Sequence, residues 1–165
     1  MTTLVKHGEV CADPYTTLGP DAPIPSDGDL IVSLERWRAD RAQLTQRSGR
    51  LGIRLKSDEP PGLLADELEA FALVALEFPA FRDGRAYSYA RLLRDQYGFA
   101  GEIRAVGDVL VEQLQFMLRV GFDAFELKGE DPEREFRAVA NEISISYQPA
   151  HDDRATALEL RLRGA

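Results

Sequence analysis

The chain has 165 residues, a formal net charge of −8, 44% hydrophobic and 29% charged residues, which fits one globular domain with a core of its own. The acidic balance argues against nucleic acid and against an anionic membrane surface, since both would repel it. A single cysteine, Cys11, and two histidines near opposite ends, His7 and His151, exclude an internal disulfide and argue against an iron–sulfur cluster or a histidine-rich metal site.

In chain order, Met1 to Glu9 lacks the apolar core of a signal peptide, and no apolar run approaches the roughly 20 residues of a membrane helix. The cytoplasm is therefore the expected compartment. Residues 4–11 read as a strand, a turn at His7-Gly8-Glu9 and a second strand. Residues 13–29 are rich in proline, glycine and aspartate, which interrupt regular structure. Residues 1–29 are thus predicted to be an N-terminal arm carrying one short β-hairpin.

An α/β rhythm begins at Leu30 and is predicted to extend to residue 148. Leu30 to Val32 reads as a strand, with Ser33 capping a helix whose Leu34, Trp37, Leu44 and the stem of Arg41 share a face. Leu51 to Leu55 is the next strand, and Pro60-Pro61 opens a short helix with Leu64, Leu68 and Phe71 inward. Leu73 to Leu76 is a strand ending in Glu77. Beyond the Asp83-Gly84 turn, Tyr89, Leu92, Leu93 and Tyr97 form a helical stripe closed by Gly98.

Glu102 to Val106 is predicted as strand, and Asp108 as the cap of a helix with Leu110, Leu114, Met117 and Leu118 on one face, stopped by Gly121. Phe122 to Leu127 returns as strand. Pro132 leads a helix through Phe136 and Val139, and Ile143 to Tyr147 fits a last strand. Residues 149–165 form a charged tail in which 155–163 favour helix.

This alternation predicts a mostly parallel sheet of about five strands with alternating helices, built as an open wound sheet or a partial barrel. In either, ligands gather at the carboxyl ends of the strands. That places interest on Glu77 and its loop, on Gly107-Asp108, and on residues 128–131.

Only three of the 20 basic residues are lysine, so placement of the arginines carries the information. The loop through Asp83 leads to a helix start, where backbone N–H groups favour an anion, with Arg85 adding a fork and Ser88 a hydroxyl. Arg91 and Asp95 are spaced for a surface ion pair. Arg104 sits among apolar neighbours in a strand and needs a partner or a solvated cavity. Glu77 or Asp108 is the expected partner. Glu77, Asp83, Arg85, Ser88, Arg91, Arg104 and Asp108 are accordingly the candidates for an anion or partner site, with structural pairing as the alternative for each. No catalytic residue is singled out. The sequence lacks GxGxxG after a strand, GxxxxGK[ST], GxSxG and HExxH, so no cofactor is expected.

Three stretches, Phe78 to Arg94, Glu102 to Gln113 and Gly121 to Leu127, resemble a bacterial family with the patterns FPxFxDGRxYSxARLLR, ExRAVGDVLxxQ and GFDAFEL. That family is uncharacterised in mechanism and carries an oxidoreductase label tied to sulfite reduction. The resemblance implies a role in sulfur assimilation; because one cysteine and no cofactor motif equip the chain poorly to move electrons alone, an accessory role is expected, with sulfite reductase or another enzyme of that pathway as partner. A cofactor-independent enzyme acting on an anionic metabolite is the alternative. A homo-oligomer remains compatible with either.

Overall fold

The computed structural model describes residues 2–80, 82–140 and 156–163. Its strands are β1 (Thr3–Lys6), β2 (Glu9–Cys11), β3 (Tyr15–Thr17), β4 (Asp29–Ser33), β5 (Leu51–Leu55), β6 (Leu73–Phe78), β7 (Glu102–Gly107) and β8 (Ala124–Leu127). Between and after them lie α1 (Leu34–Gln46), a 3₁₀ segment (Pro61–Ala70), α2 (Arg85–Arg91) with a π-wound extension (Leu92–Gln96), α3 (Leu114–Arg119), α4 (Pro132–Ala140) and α5 (Ala157–Arg163).

All eight strands belong to one sheet in the order β2-β1-β8-β7-β6-β5-β4-β3. Strands β3 to β8 run parallel, each beside its predecessor, while β1 pairs antiparallel with both β2 and β8. The sheet is therefore larger than the five strands expected and mixed rather than purely parallel. The N-terminal hairpin is present, but it extends the sheet instead of standing apart as an arm. Strand β3 was missed because it is only three residues long and lies between Pro14 and Pro20. The expected strand at 143–147 falls outside the described residues.

Strand order distinguishes the two architectures the sequence left open. A doubly wound sheet reverses direction partway and places helices on both faces. Here the parallel run never reverses, so right-handed crossovers keep returning to the same side. The outward side chains Leu30, Val32, Ile53, Leu55, Val74, Leu76, Ile103, Ala105 and Phe125 join the main core. The opposite face has only a small apolar cluster of Ile31, Leu73, Ala75 and Val106, with Tyr15 packed on it.

Chain reach shows how strongly the sheet curls. A flat sheet of this many strands would hold its edges more than ~30 Å apart, from a strand spacing of ~4.8 Å. Yet the edge strands β2 and β3 are consecutive, joined by Ala12, Asp13 and Pro14. Four residue steps span at most ~14 Å. The result is a curled open sheet, a half-barrel whose unpaired edges are drawn together by this short strap.

Local rules explain the flanking elements. Ser33 Oγ accepts the backbone N–H of Arg36 at 3.1 Å and starts α1, which buries Leu34, Trp37 and Leu44. Gly98 takes φ 61° where α2's extension ends. Gly107 closes β7 with φ 96°, and a Cβ there would stand 2.5 Å from the Phe78 carbonyl oxygen. Asp108 does not cap the next helix, because helical turns begin only at Val111.

Candidate functional site

The period-two alternation of β7 points Ile103 and Ala105 to the helix-covered core and Arg104 to the concave face. Arg104 is 0% exposed there. In register beside it lie Ala75 of β6 and Ala124 of β8, and Ala75 in turn pairs with Arg54 of β5. Small residues thus alternate with the two arginines across the concave wall.

Arg104 is fully engaged. Its Nε donates to Glu102 Oε1 at 2.9 Å, and its terminal nitrogens donate to both Asp13 carboxylate oxygens at 2.6 and 3.2 Å. The Tyr15 ring lies 5.7 Å from the guanidinium carbon. Glu102 also takes Lys6 Nζ at 2.6 Å. Burial alone would favour loss of the Arg104 proton, but Asp13 and Glu102 outweigh it and hold the group charged, above its ordinary value. Because Asp13 belongs to the strap, this ion cluster fastens the strap across the half-barrel.

Nearer the carboxyl ends of the parallel strands, Glu77 pairs with Arg54, Nε to Oε2 at 3.2 Å. Arg104 and Glu77 therefore have different partners, contrary to the expected Arg104–Glu77 pair. The Arg54 side chain is 38% exposed, and its two terminal nitrogens donate no hydrogen bond among the described residues. Glu126, on β8, stands 3.7 Å from Arg104, too far for a hydrogen bond. Burial pushes the Glu126 carboxyl above its ordinary value, while the charges of Arg104 and Arg54 pull the other way. Both arginines thus act on the same carboxyl.

The remaining sequence candidates lie in separate networks. Arg85 shares its fork between Asp83, at 2.9 and 2.6 Å, and Ser57 Oγ at 2.9 Å, and Tyr89 Oη donates to the Ser57 carbonyl at 2.9 Å. This stitches the loop after β5 to the loop after β6. Arg85 also holds the Asp83 carboxyl well below the usual carboxylate range. Ser88 is exposed within α2, whose N-cap is Gly84, and Arg91 forms the expected exposed ion pair with Asp95 at 3.0 Å. The Asp108 backbone N–H donates to the Phe78 carbonyl at 2.7 Å, closing the turn after β7.

Sequence reasoning missed Asp13, Arg54, Glu102 and Glu126. Three of them had a legible signal: Arg54, Glu102 and Glu126 occupy concave-facing positions of otherwise apolar strands. Asp13 had none, since its role depends on closure of the sheet.

The Glu126 shift predicts a pH-dependent effect. A carboxyl raised in the folded state opposes folding once ionised, so its cost is absent below its ordinary value of 4.5 and grows as pH rises through the folded value. Glu126→Gln is expected to match the parent at about pH 4 and to melt higher at pH 7. Thermal scans across that range check it, and a variant less stable at pH 7 than at pH 4 relative to the parent would contradict it.

Among the described residues, no group of three or more His, Cys, Asp or Glu side chains is arranged to hold a metal ion, and no helix is long and apolar enough to cross a membrane. No curated protein matches the chain. A profile for a bacterial family of unknown function, DUF934, matches residues 52–158, from β5 through all later parallel strands and into α5. That match takes in Arg54, Glu77, Arg104 and Glu126, and the chain belongs to this bacterial family, DUF934.

Proposed function

We propose that this chain is an accessory protein of sulfite reduction that supports or docks on a reductase, and that it accepts an anionic group at Arg54. The pathway rests on the motifs at Phe78 to Arg94, Glu102 to Gln113 and Gly121 to Leu127. The site rests on one observation: Arg54 lies toward the carboxyl ends of the parallel strands, tied by a single bond to Glu77, with its terminal nitrogens uncommitted among the described residues. Closed βα barrels and open parallel βα sheets alike bind ligands at that end of their strands. Arg85 suits an anion less well, because Asp83 already takes its Nε and Nη2 in a two-bond grip and Ser57 shares Nη2.

Co-purification of the tagged chain from its own cells should retain sulfite reductase, and deletion should slow growth on sulfite or sulfate as sole sulfur source. No retention together with normal growth would sink the accessory role. The raised Glu126 carboxyl favours a second reading, a cofactor-independent enzyme in which Glu126 exchanges a proton with an anionic metabolite held by Arg54. An intact reductase complex that is indifferent to Glu126→Gln separates the two.

A further inference from the structure

The concave mouth contains more than a cation. Arg54 offers two terminal nitrogens, whereas Glu126 has only a 3.7 Å contact with Arg104, whose hydrogen bonds go to Asp13 and Glu102. Glu77 spends one carboxylate oxygen on Arg54. Among the described residues of the concave face, Arg54, Lys6 and Arg104 meet Glu77, Glu102, Asp13 and Glu126 while Arg50 pairs with Asp29, so one carboxylate lacks a matching cation. A plain dianion at Arg54 would be drawn by the guanidinium but would leave that carboxylate uncompensated and close to further negative charge. A ligand carrying an ammonium group as well as a carboxylate satisfies both ends.

The register supports this pairing. Glu77 faces Val106 across β6 and β7, and Glu126 lies on the next strand at the same level, two strand spacings or ~10 Å away along the sheet. The curl shortens the path across the mouth. Arg54 and Glu126 are close enough that the guanidinium charge acts on the carboxyl. A guanidinium fork binds a carboxylate through two parallel bonds, and the carboxylates opposite can receive an ammonium.

We infer that the mouth formed by Arg54, Glu77 and Glu126 binds a small zwitterion of the free α-amino acid class, its carboxylate on Arg54 and its ammonium on Glu126 and Glu77. This deepens the anion site proposed above and rests on it. The neighbouring charges are those of Arg104, Asp13, Glu102 and Lys6, which stay paired with one another in this arrangement.

Calorimetric titration of the full chain with the twenty free amino acids, their N-acetyl derivatives, sodium sulfate, sodium sulfite and ethylamine tests the inference. At least one free amino acid should bind saturably. Its N-acetyl derivative should bind at least tenfold more weakly, as should Arg54→Ala and Glu126→Gln with the free amino acid. Arg91→Ala, on the outer surface of α2, should bind as the parent does and controls for nonspecific charge effects. Equal binding of the N-acetyl form or of sulfate, abolished by Arg54→Ala, overturns the zwitterion while leaving the anion site standing. Binding of ethylamine alone, or of nothing, overturns both. Variants that fail to melt cooperatively are replaced by Arg54→Lys and Glu126→Asp, for which weaker binding supports the inference and unchanged binding opposes it.

Discussion

Arg104→Ala is expected to destabilise the fold by about 3–5 kcal/mol, the usual cost of removing one partner from a buried ion cluster. The residue is 0% exposed, and its loss takes both hydrogen bonds from the Asp13 carboxylate and leaves Glu102 with Lys6 alone. The strap between β2 and β3 also loses its fastening. Urea unfolding measures the effect directly. Arg104→Lys should recover only part of the loss, because an ammonium retains charge but cannot reproduce two parallel bonds to Asp13. Pairing Arg104→Met with Asp13→Asn should be milder than Arg104→Ala, since it removes charge from both sides. An Arg104→Ala variant within about 1 kcal/mol of the parent, well short of the usual cost of breaking a buried pair, would mean the cluster does not hold the half-barrel shut.

Trp37→Ala should cost a comparable amount, about 3–5 kcal/mol, by a different mechanism. Trp37 is 1% exposed, packs edge-on against Phe71 at 4.8 Å and donates its indole N–H to Glu67. With the Arg41–Glu67 pair at 2.7 Å it joins α1 to the 3₁₀ segment, and Arg41 covers the ring at 5.5 Å. Truncation leaves a cavity and removes the indole bond to Glu67 Oε2, while Arg41 keeps Glu67 Oε1. A melting temperature lower by roughly 10 °C is expected for a domain of this size. Trp37 lies on the convex side, so the folded fraction should retain the ligand affinity of the parent. A loss of affinity without a loss of stability would show that the convex core and the concave mouth are coupled.

Much of the local structure was legible before any coordinates. The hairpin at its tight turn, Ser33 as a helix cap, the strands at Leu51 and Leu73, the Gly98 stop and the Arg91–Asp95 pair each follow from interactions within a few residues. The errors also share a cause. Asp108 has the chemistry of a helix cap, but its backbone is used to close the turn after β7 against Phe78. Tyr15 to Thr17 lacks the length of a recognisable strand and becomes one only because β4 offers it an edge.

The candidate site was half legible. Arg104 was singled out correctly as a charge in an apolar strand that needed a partner, and Glu77 as a group at a strand end. Their joint assignment failed because adjacent strands bring Arg54 to Glu77 and the closing strap brings Asp13 to Arg104. Arg85 was singled out as a fork for an anion at a helix start, and Asp83, two residues before it, takes that fork instead.

By itself the sequence determined most of the strands and helices from Leu30 on and which of their side chains alternate inward, because alternation, capping and turn chemistry act over a few neighbouring residues. It also determined that a buried arginine would require carboxylates. Only the tertiary structure decided which ones: Asp13 and Arg104 are 91 positions apart, and they meet because an unreversed parallel order curls the sheet until a three-residue strap can bridge its edges. Such a contact depends on the path of the whole chain, and no local pattern encodes it.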